Sequence, residues 1–117
     1  MKMFALLVAT LMLVASSFAQ SSHSVTLAWT APTGGGAVTG YNAYRGATKG
    51  GPYTVLNTSA IPLPGYSDIS GLVEGTTYYY VVTAVGPGGE SVASNEASAL
   101  IPISKPSAPS NLTSTVK

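Results

Sequence analysis

Side chains that could carry out chemistry are few in this sequence and lie far apart along the chain. Its 117 residues contain one His, no Cys and four carboxylates, at Asp68, Glu74, Glu90 and Glu96. A serine hydrolase brings a Ser, a His and a carboxylate together, but His23 lies at the N-terminal end of the predicted domain. We therefore interpret His23 as an exposed terminal residue and predict no triad of this kind.

The pair of carboxylates that glycoside hydrolases use is not predicted either. Such enzymes place two carboxylates across one cleft, whereas the predicted strands put Glu74 and Glu90 at opposite poles and Asp68 and Glu96 in different sheets. Without Cys, thiolate metal sites, disulfides and Cys nucleophiles are excluded. We predict that the chain is not an enzyme and has no catalytic residue, metal site or cofactor.

Exposed tyrosines are better candidates for a binding site. Tyr44 and Tyr79 point outward by strand alternation, and Tyr53 is expected to be half covered. The glycine-rich segments 34–36 and 86–89 precede no helix, so we predict turns and no phosphate cradle. The candidate interaction surface comprises Tyr44, Tyr53, Tyr79, Gly88 and Gly89. Its rings either stack on a ligand such as a sugar or simply cover the outer face of their own sheet.

The N-terminus has the pattern of an export signal. Lys2 is followed by an uncharged apolar run over residues 3–15, and small residues stand at Ser17 and Ala19. This pattern predicts cleavage after Ala19, and the apolar run is too short to span a bilayer comfortably. We expect a secreted protein, extracellular or periplasmic, that is not stably inserted in a membrane after the signal is removed.

Charge argues against a nucleic-acid partner. Beyond residue 19, four cations stand against the four carboxylates, and the cations are scattered, at Arg45, Lys49, Lys105 and Lys117. Nucleic-acid binding needs a basic patch, which this set does not supply. We expect the partner to be a protein or a polysaccharide.

The rest of the chain reads as short strands separated by turns. Gly and Pro interrupt it too often for a long helix, and β-rich runs lie at residues 25–30, 41–45, 53–56, 66–69, 78–85 and 91–101. Evenly spaced short strands are typical of an antiparallel sandwich. Two sheets must pack face to face, because a single sheet would not bury Trp29 together with the inward-facing tyrosines.

From residue 24 to residue 102 the sequence resembles a fibronectin type III domain. Trp29 stands where the family has its core Trp on strand B, and Tyr41 and Ala43 resemble the strand C pair. Residues 72–78, which end in Tyr78, are similar to the tyrosine corner, in which the Tyr hydroxyl bonds to the backbone just upstream. The resemblance implies an all-β, immunoglobulin-like antiparallel β-sandwich of about seven strands, with a core that includes Trp29, Tyr41, Leu72, Tyr78, Tyr80 and Val82.

The resemblance also implies how two of the tyrosines lie relative to each other and what function the domain has. In the family's strand order Tyr44 and Tyr79 lie on adjacent strands and would form a cross-strand pair. The implied function is a non-catalytic structural, spacer or protein-interaction module of the adhesion type. The alternative is an accessory carbohydrate-binding module that uses the exposed tyrosines.

Two departures from the family pattern concern the ends of the domain. Glu74 stands where the family often has Pro, and only residues 20–24 precede Val25 after the predicted cleavage, which is too short for strand A. Strand A is therefore short or missing, and residues 25–30 form an open sheet edge. We divide the chain into a signal at residues 1–19, a fibronectin type III domain at 20–103 and a tail at 104–117 that resembles the start of a next repeat.

Three interpretations of the tail remain open at this point. It is a disordered or Pro-extended segment, which includes the case of a fragment cut before a second repeat. It folds back along its own domain. Or it adds as a strand to the open edge of another copy, which would give weak head-to-tail self-association through residues 105–117.

Overall fold

The computed structural model describes residues 22–117, and within this range the chain forms seven β-strands and no helix. The strands are β1 (Val25–Ala28), β2 (Gly40–Gly46), β3 (Thr54–Val55), β4 (Gly65–Asp68), β5 (Thr77–Gly86), β6 (Gly89–Glu90) and β7 (Ala97–Leu100). No helix long and apolar enough to cross a membrane occurs in the described part of the chain. The predicted export signal lies outside the described residues.

The strands form two antiparallel sheets. One sheet contains β1 and β4, and the other has the order β3-β2-β5 with β6 and β7 both paired to the far side of β5. In β2 the residues that face the other sheet, Tyr41 and Ala43, are buried, as period-two alternation requires. The fold is the predicted antiparallel β-sandwich.

The core lies between the two sheets in two clusters. One cluster contains Leu72, Tyr78, Tyr80 and Ile101, and the other contains Tyr41, Ala43 and Ile61. Of the six predicted core residues, four are buried and two, Trp29 and Val82, are half-buried and pack against the second cluster. The indole of Trp29 meets the Tyr41 ring edge-on, with ring centroids 5.2 Å apart.

The turn before β5 has the geometry of a tyrosine corner. The Val73 N–H donates to the Tyr78 hydroxyl oxygen over 3.0 Å, and the Gly75 N–H donates to the Ile101 carbonyl over 2.8 Å. Gly75 has a φ of 79°, a left-handed conformation that glycine adopts at no steric cost. The corner therefore forms with Glu74 in place of proline.

The prediction of one continuous last strand over residues 91–101 is wrong. The segment between β6 and β7 leaves the regular ladder, although the N–H groups of Ser91 and Ser94 still donate to the carbonyls of Ala84 and Val82. The Ser91 and Ser94 hydroxyls accept hydrogen bonds from the N–H groups of the same two β5 residues, each over 2.9 Å. Two residues lie between the serines but only one between their partners, so the chain bulges.

The predicted departures from the family pattern are found at the ends of the described part of the chain. Among residues 22–117 β1 pairs with β4 alone, so its other edge is open. The tail beyond residue 104 is exposed and contains no strand, so it does not fold back onto β1 of its own chain.

Candidate interaction surface

Two of the three predicted surface tyrosines lie on neighbouring strands, on the outer face of the five-stranded sheet. In the ladder between β2 and β5, Tyr44 is opposite Val81 and Tyr79 is opposite Gly46. The tyrosines are therefore diagonal neighbours on one face, and the predicted cross-strand pair is wrong. The reason is the register, which places a glycine directly opposite Tyr79.

Tyr53 lies on the same face, next to that glycine. Because Thr54 is opposite Arg45 in the β2–β3 ladder, the preceding residue, Tyr53, falls beside Gly46. A Cβ atom on Gly46 would come within 3.0 Å of the Tyr53 ring and 2.6 Å of the Pro52 carbonyl oxygen. The absence of a side chain at Gly46 is what allows the Tyr53 ring to lie close to the sheet.

Two of the three hydroxyls are held by carboxylates. Tyr44 donates to Glu90, and Tyr53 donates to Glu96. Glu96 also accepts the Gly50 N–H over 2.8 Å, which ties the loop between β2 and β3 to the start of β7. The hydrogen bond from Tyr53, followed by that from Gly50, lowers the pKa of Glu96, and the same Tyr53 bond raises the pKa of Tyr53.

Glu90 is the acceptor for a small polar group on this face. Hydrogen bonds from Thr83, Tyr44 and Asn42, in that order of importance, lower the pKa of Glu90. In turn the bond to Glu90 is the main cause of a raised pKa at Tyr44. Glu90 is therefore ionised at neutral pH and fixes the orientation of the Tyr44 ring.

The tyrosine rings also cover part of their own sheet. All three are half-buried, and Val81 and Thr83 on the outer face of β5 are only 6% and 7% exposed. We call Tyr44, Tyr53 and Tyr79, together with Glu90 and Glu96, the tyrosine face. It is a surface of three half-buried tyrosines beside two carboxylates, each of which accepts a hydrogen bond from one tyrosine hydroxyl.

Gly88 and Gly89 lie beside the tyrosine face rather than within it. Gly88 lies in the exposed turn between β5 and β6, and Gly89, which has a φ of 112°, is the first residue of β6. With the loop at residues 34–36 they line a cleft of about 300 Å³ at one pole. Glu90, which follows Gly89, also lines this cleft and so connects it to Tyr44.

A buried polar network, which the sequence analysis did not identify, lies on the inner side of the five-stranded sheet. Asp68, at 1% exposure, accepts hydrogen bonds from the Arg45 guanidinium and the Tyr80 hydroxyl, each over 2.8 Å. Its other oxygen accepts the hydroxyl and N–H of Ser70 over 2.6 and 3.0 Å. The Arg45 guanidinium also lies 4.8 Å from the centroid of the Tyr78 ring.

The network keeps its carboxylate ionised. Burial raises the pKa of Asp68, but the hydrogen bonds from Ser70, Tyr80 and Arg45 outweigh burial and leave that pKa below its ordinary value. Burial and the neighbouring Asp68 carboxylate raise the pKa of Tyr80. A signal for the network existed in the sequence, because Arg45 has the same strand parity as the inward-facing Tyr41 and Ala43.

A second unpredicted cluster joins the two ends of the domain. The His23 Nε2 atom lies 2.8 Å from a carboxylate oxygen of Glu74, and the Ser104 hydroxyl donates to the same oxygen over 2.7 Å. His23 is only 18% exposed, so its interpretation as an exposed terminal residue is wrong. The reason is Glu74, which accepts hydrogen bonds from both chain segments.

The carboxylates of the described chain are already engaged by donors of the protein itself. Glu90 and Glu96 hold tyrosine hydroxyls, Glu74 holds His23 and Ser104, and Asp68 is buried with its donors. Residues 22–117 contain no group of three or more His, Cys, Asp or Glu side chains that could hold a metal ion. This arrangement can orient aromatic rings and accept hydrogen bonds, and no catalytic domain is evident in it.

Comparison with known proteins identifies polysaccharide-degrading enzymes and a fold neighbour. Chitinase A1 of Niallia circulans is 36% identical over 110 residues, which cover 88% of this chain and 14% of the enzyme. Exoglucanase B of Cellulomonas fimi is 42% identical over 69 residues, which cover 59% of this chain and 6% of the enzyme. The chain thus spans less than a sixth of either relative.

A structural neighbour and a family model cover the domain itself. The crystal structure of an Fn3-like protein from Clostridium thermocellum has a TM-score of 0.58 and 39% identity, covering 70% of this chain and 80% of that one. The model of the fibronectin type III domain matches residues 13–99, from within the predicted export signal to β7. The chain therefore belongs to the fibronectin type III family.

Proposed function

We propose that the chain is an exported, non-catalytic interaction module that presents the tyrosine face to a protein partner. The observation that carries this proposal is that Glu90 and Glu96 each accept a hydrogen bond from the hydroxyl of a half-buried tyrosine on one outer face of the sandwich.

The tyrosine face has the properties of a prepared binding surface. Tyrosine is enriched at protein interfaces because it offers a large apolar area and a polar end. The bonds of Tyr44 to Glu90 and of Tyr53 to Glu96 hold two rings in place before binding, and prior ordering reduces the entropy lost on association. The two carboxylates favour a partner that brings hydrogen-bond donors or positive charge.

A second candidate is an accessory carbohydrate-binding module centred on Tyr44, Tyr53 and Tyr79. What favours it is the similarity to regions of a chitinase and an exoglucanase. Sugar rings stack on exposed aromatic rings, and sugar hydroxyls donate well to carboxylates. In this alternative Glu90 and Glu96 would accept hydrogen bonds from the polysaccharide.

One experiment separates the two candidates. The secreted protein is tested for retention on insoluble chitin, cellulose and starch, and Tyr44→Ala/Tyr79→Ala is compared with a control, Thr58→Ala, on an exposed loop residue. Retention of the wild type and the control, lost in the double variant, would establish carbohydrate binding. No retention on any of the three polysaccharides would dismiss the carbohydrate-binding alternative.

Export is tested by the same preparation. Mass spectrometry of the secreted protein is expected to give an N-terminus at Gln20, as the small residues before it predict. A protein that stays in the producing cells with residues 1–19 intact would contradict the exported part of the proposal.

A further inference from the structure

The free edge of β1 carries backbone groups that no residue between 22 and 117 satisfies. The Trp29 N–H donates to the Pro64 carbonyl across the β1–β4 ladder, and the register places Thr26 opposite Ser67 and Ala28 opposite Gly65. Because alternate residues of an antiparallel ladder direct their hydrogen-bonding groups to the same side, Thr26 and Ala28 direct theirs away from β4. The edge therefore offers the N–H and C=O groups of these two residues to another strand.

The edge lacks the features that prevent pairing with other chains. Natural sheet edges are protected by charged side chains, proline or bulges, and β1 has the sequence Val-Thr-Leu-Ala without any of these. Val25 and Leu27, on its inner side, are half-buried and pack against the core cluster around Tyr80. A strand added here would extend the cover over the same core.

A cleft continues this edge into the sandwich. It has a volume of about 440 Å³ and is lined by Trp29, which directly follows β1, and by Ser91, Val92 and Ser94 from the bulged segment after β6. Val92 is 90% exposed at its rim. The Trp29 Nε1 atom is buried without a hydrogen-bond partner in the described chain, which is unfavourable for a polar group.

The tail supplies a strand of suitable chemistry. Residues 112–116 alternate between Leu112, Ser114 and Val116 on one side and two threonines on the other, and Leu112 and Val116 are each 95% exposed. Threonine and valine are favoured in strands, and residues 112–117 contain no proline. The prolines at 106 and 109 precede this stretch and favour an extended backbone around them, whereas Asn111, directly before it, has a left-handed φ of 59°.

We propose that residues 112–116 of one chain add as an antiparallel strand to the free edge of β1 in a second copy. Leu112 and Val116 would then face inward beside Val25 and Leu27 of that copy. Because the same edge and the same tail occur in every copy, the contact is heterologous and assembly continues head to tail.

The geometry of the chain ends allows this contact. The tail leaves the domain at the pole of Glu74, where β1 also begins, so a strand antiparallel to β1 must enter the second copy from its opposite pole. Residues 105–111 extend up to about 24 Å, which separates the two domains along the assembly axis. The two copies therefore lie end to end and do not compete for the same pole.

The test measures molar mass by light scattering across a concentration series of the full secreted chain. Thr113→Pro disables the donor strand, because the outward-facing threonines of the tail would lie opposite Thr26 and Ala28 and exchange backbone hydrogen bonds with them. Ser110→Pro is its control in the tail outside that strand. Thr26→Pro disables the acceptor edge, where a proline removes only an N–H that points away from β4. Circular dichroism and thermal unfolding establish that each variant is folded.

Head-to-tail addition predicts a mass for wild type and Ser110→Pro that rises with concentration beyond that of a dimer. Thr113→Pro and Thr26→Pro alone remain monomers, but a mixture of the two gives a one-to-one dimer and nothing larger. The emission of Trp29, the single Trp of the chain, shifts to shorter wavelength as the wild type associates. A wild type that stays monomeric, or a Thr113→Pro variant that associates as the wild type does, overturns the proposal.

Discussion

Hydrogen bonds from a tyrosine hydroxyl to a carboxylate occur in two regions of the molecule and have different consequences in each. Between the sheets, Tyr80 donates to Asp68, which is 1% exposed and has the Arg45 guanidinium as a second donor. On the outer face, Tyr44 and Tyr53 donate to Glu90 and Glu96 within reach of solvent. The same chemical pair therefore stabilises the fold inside and orients a surface outside.

The two regions differ because water can replace a lost hydrogen bond only at the exposed carboxylates. A buried carboxylate that loses a donor has no water to take its place, whereas an exposed one is hydrated at once. We therefore expect substitutions at Asp68 or Tyr80 to change stability. Substitutions on the tyrosine face are expected to change binding and to leave the fold in place.

The largest effect is expected for Asp68→Asn. The change removes the charge that pairs with Arg45 inside the sandwich and leaves that guanidinium uncompensated, which should cost about 3 kcal/mol of unfolding free energy. The value is at the low end of the range for buried pairs because the Arg45 side chain is 23% exposed. Urea denaturation measures it, with Glu96→Gln on the outer face as the matched control, and equal losses in the two variants would contradict the comparison.

A smaller effect is expected for removal of one hydroxyl. Tyr80→Phe deletes a donor to the buried Asp68 and should lower the free energy of unfolding by about 1–2 kcal/mol. Tyr53→Phe removes the equivalent group from the outer face and should leave the denaturation midpoint unchanged. A shift at Tyr53 as large as that at Tyr80 would show that the tyrosine face also holds the fold.

The pH dependence of stability should distinguish the cluster of His23, Glu74 and Ser104 from the buried network at Asp68 and from the tyrosine face. Hydrogen bonds from Ser104 and His23 lower the pKa of Glu74 from 4.5 to about 2. The stabilisation by Glu74 is therefore complete above about pH 4.5 and is lost as the pH falls towards 2. Thermal unfolding between pH 5 and pH 2 should show a shallower decline in Glu74→Gln than in wild type, and parallel curves would contradict the role of Glu74.

At alkaline pH the stability is expected to change in the opposite direction, decreasing as the pH rises. Burial and Asp68 raise the pKa of Tyr80 above its ordinary value of 10.0, so its contribution is complete below pH 10 and is lost as the pH rises further. In Tyr80→Phe this alkaline decline should be reduced, as followed by thermal unfolding at rising pH. If the thermal stability of variant and wild type falls equally with rising pH, a group other than Tyr80 causes the loss of stability.

The sequence predicted the sandwich well because its local signals agree with each other. Alternation in β2 and β5 placed Tyr41, Ala43 and Tyr80 inward, and residues 72–78 gave the tyrosine corner. The break between β6 and β7 was missed because serine side chains take backbone N–H groups there. The alternation of side chains along a strand does not indicate where a serine hydroxyl will replace a backbone carbonyl as the acceptor.

The polar contacts were harder to predict from the sequence. The diagonal placement of Tyr44 and Tyr79 depends on a register that puts Gly46 opposite Tyr79, and register is set by the whole sheet. The bond of His23 to Glu74 joins residues 51 positions apart, which no local pattern encodes. The assignment of Tyr44, Tyr53, Tyr79, Gly88 and Gly89 to a binding surface stays a prediction.

The measurement that tests the central claim most directly is the unfolding free energy of Tyr44→Ala/Tyr79→Ala, by urea denaturation beside Asp68→Asn. If the tyrosine face is available for binding, the double variant stays folded with an unchanged m value and loses less unfolding free energy than Asp68→Asn, since both rings are only half-buried. A loss equal to that of Asp68→Asn, or an unfolded double variant, would contradict the account and show that these rings serve to cover their own sheet.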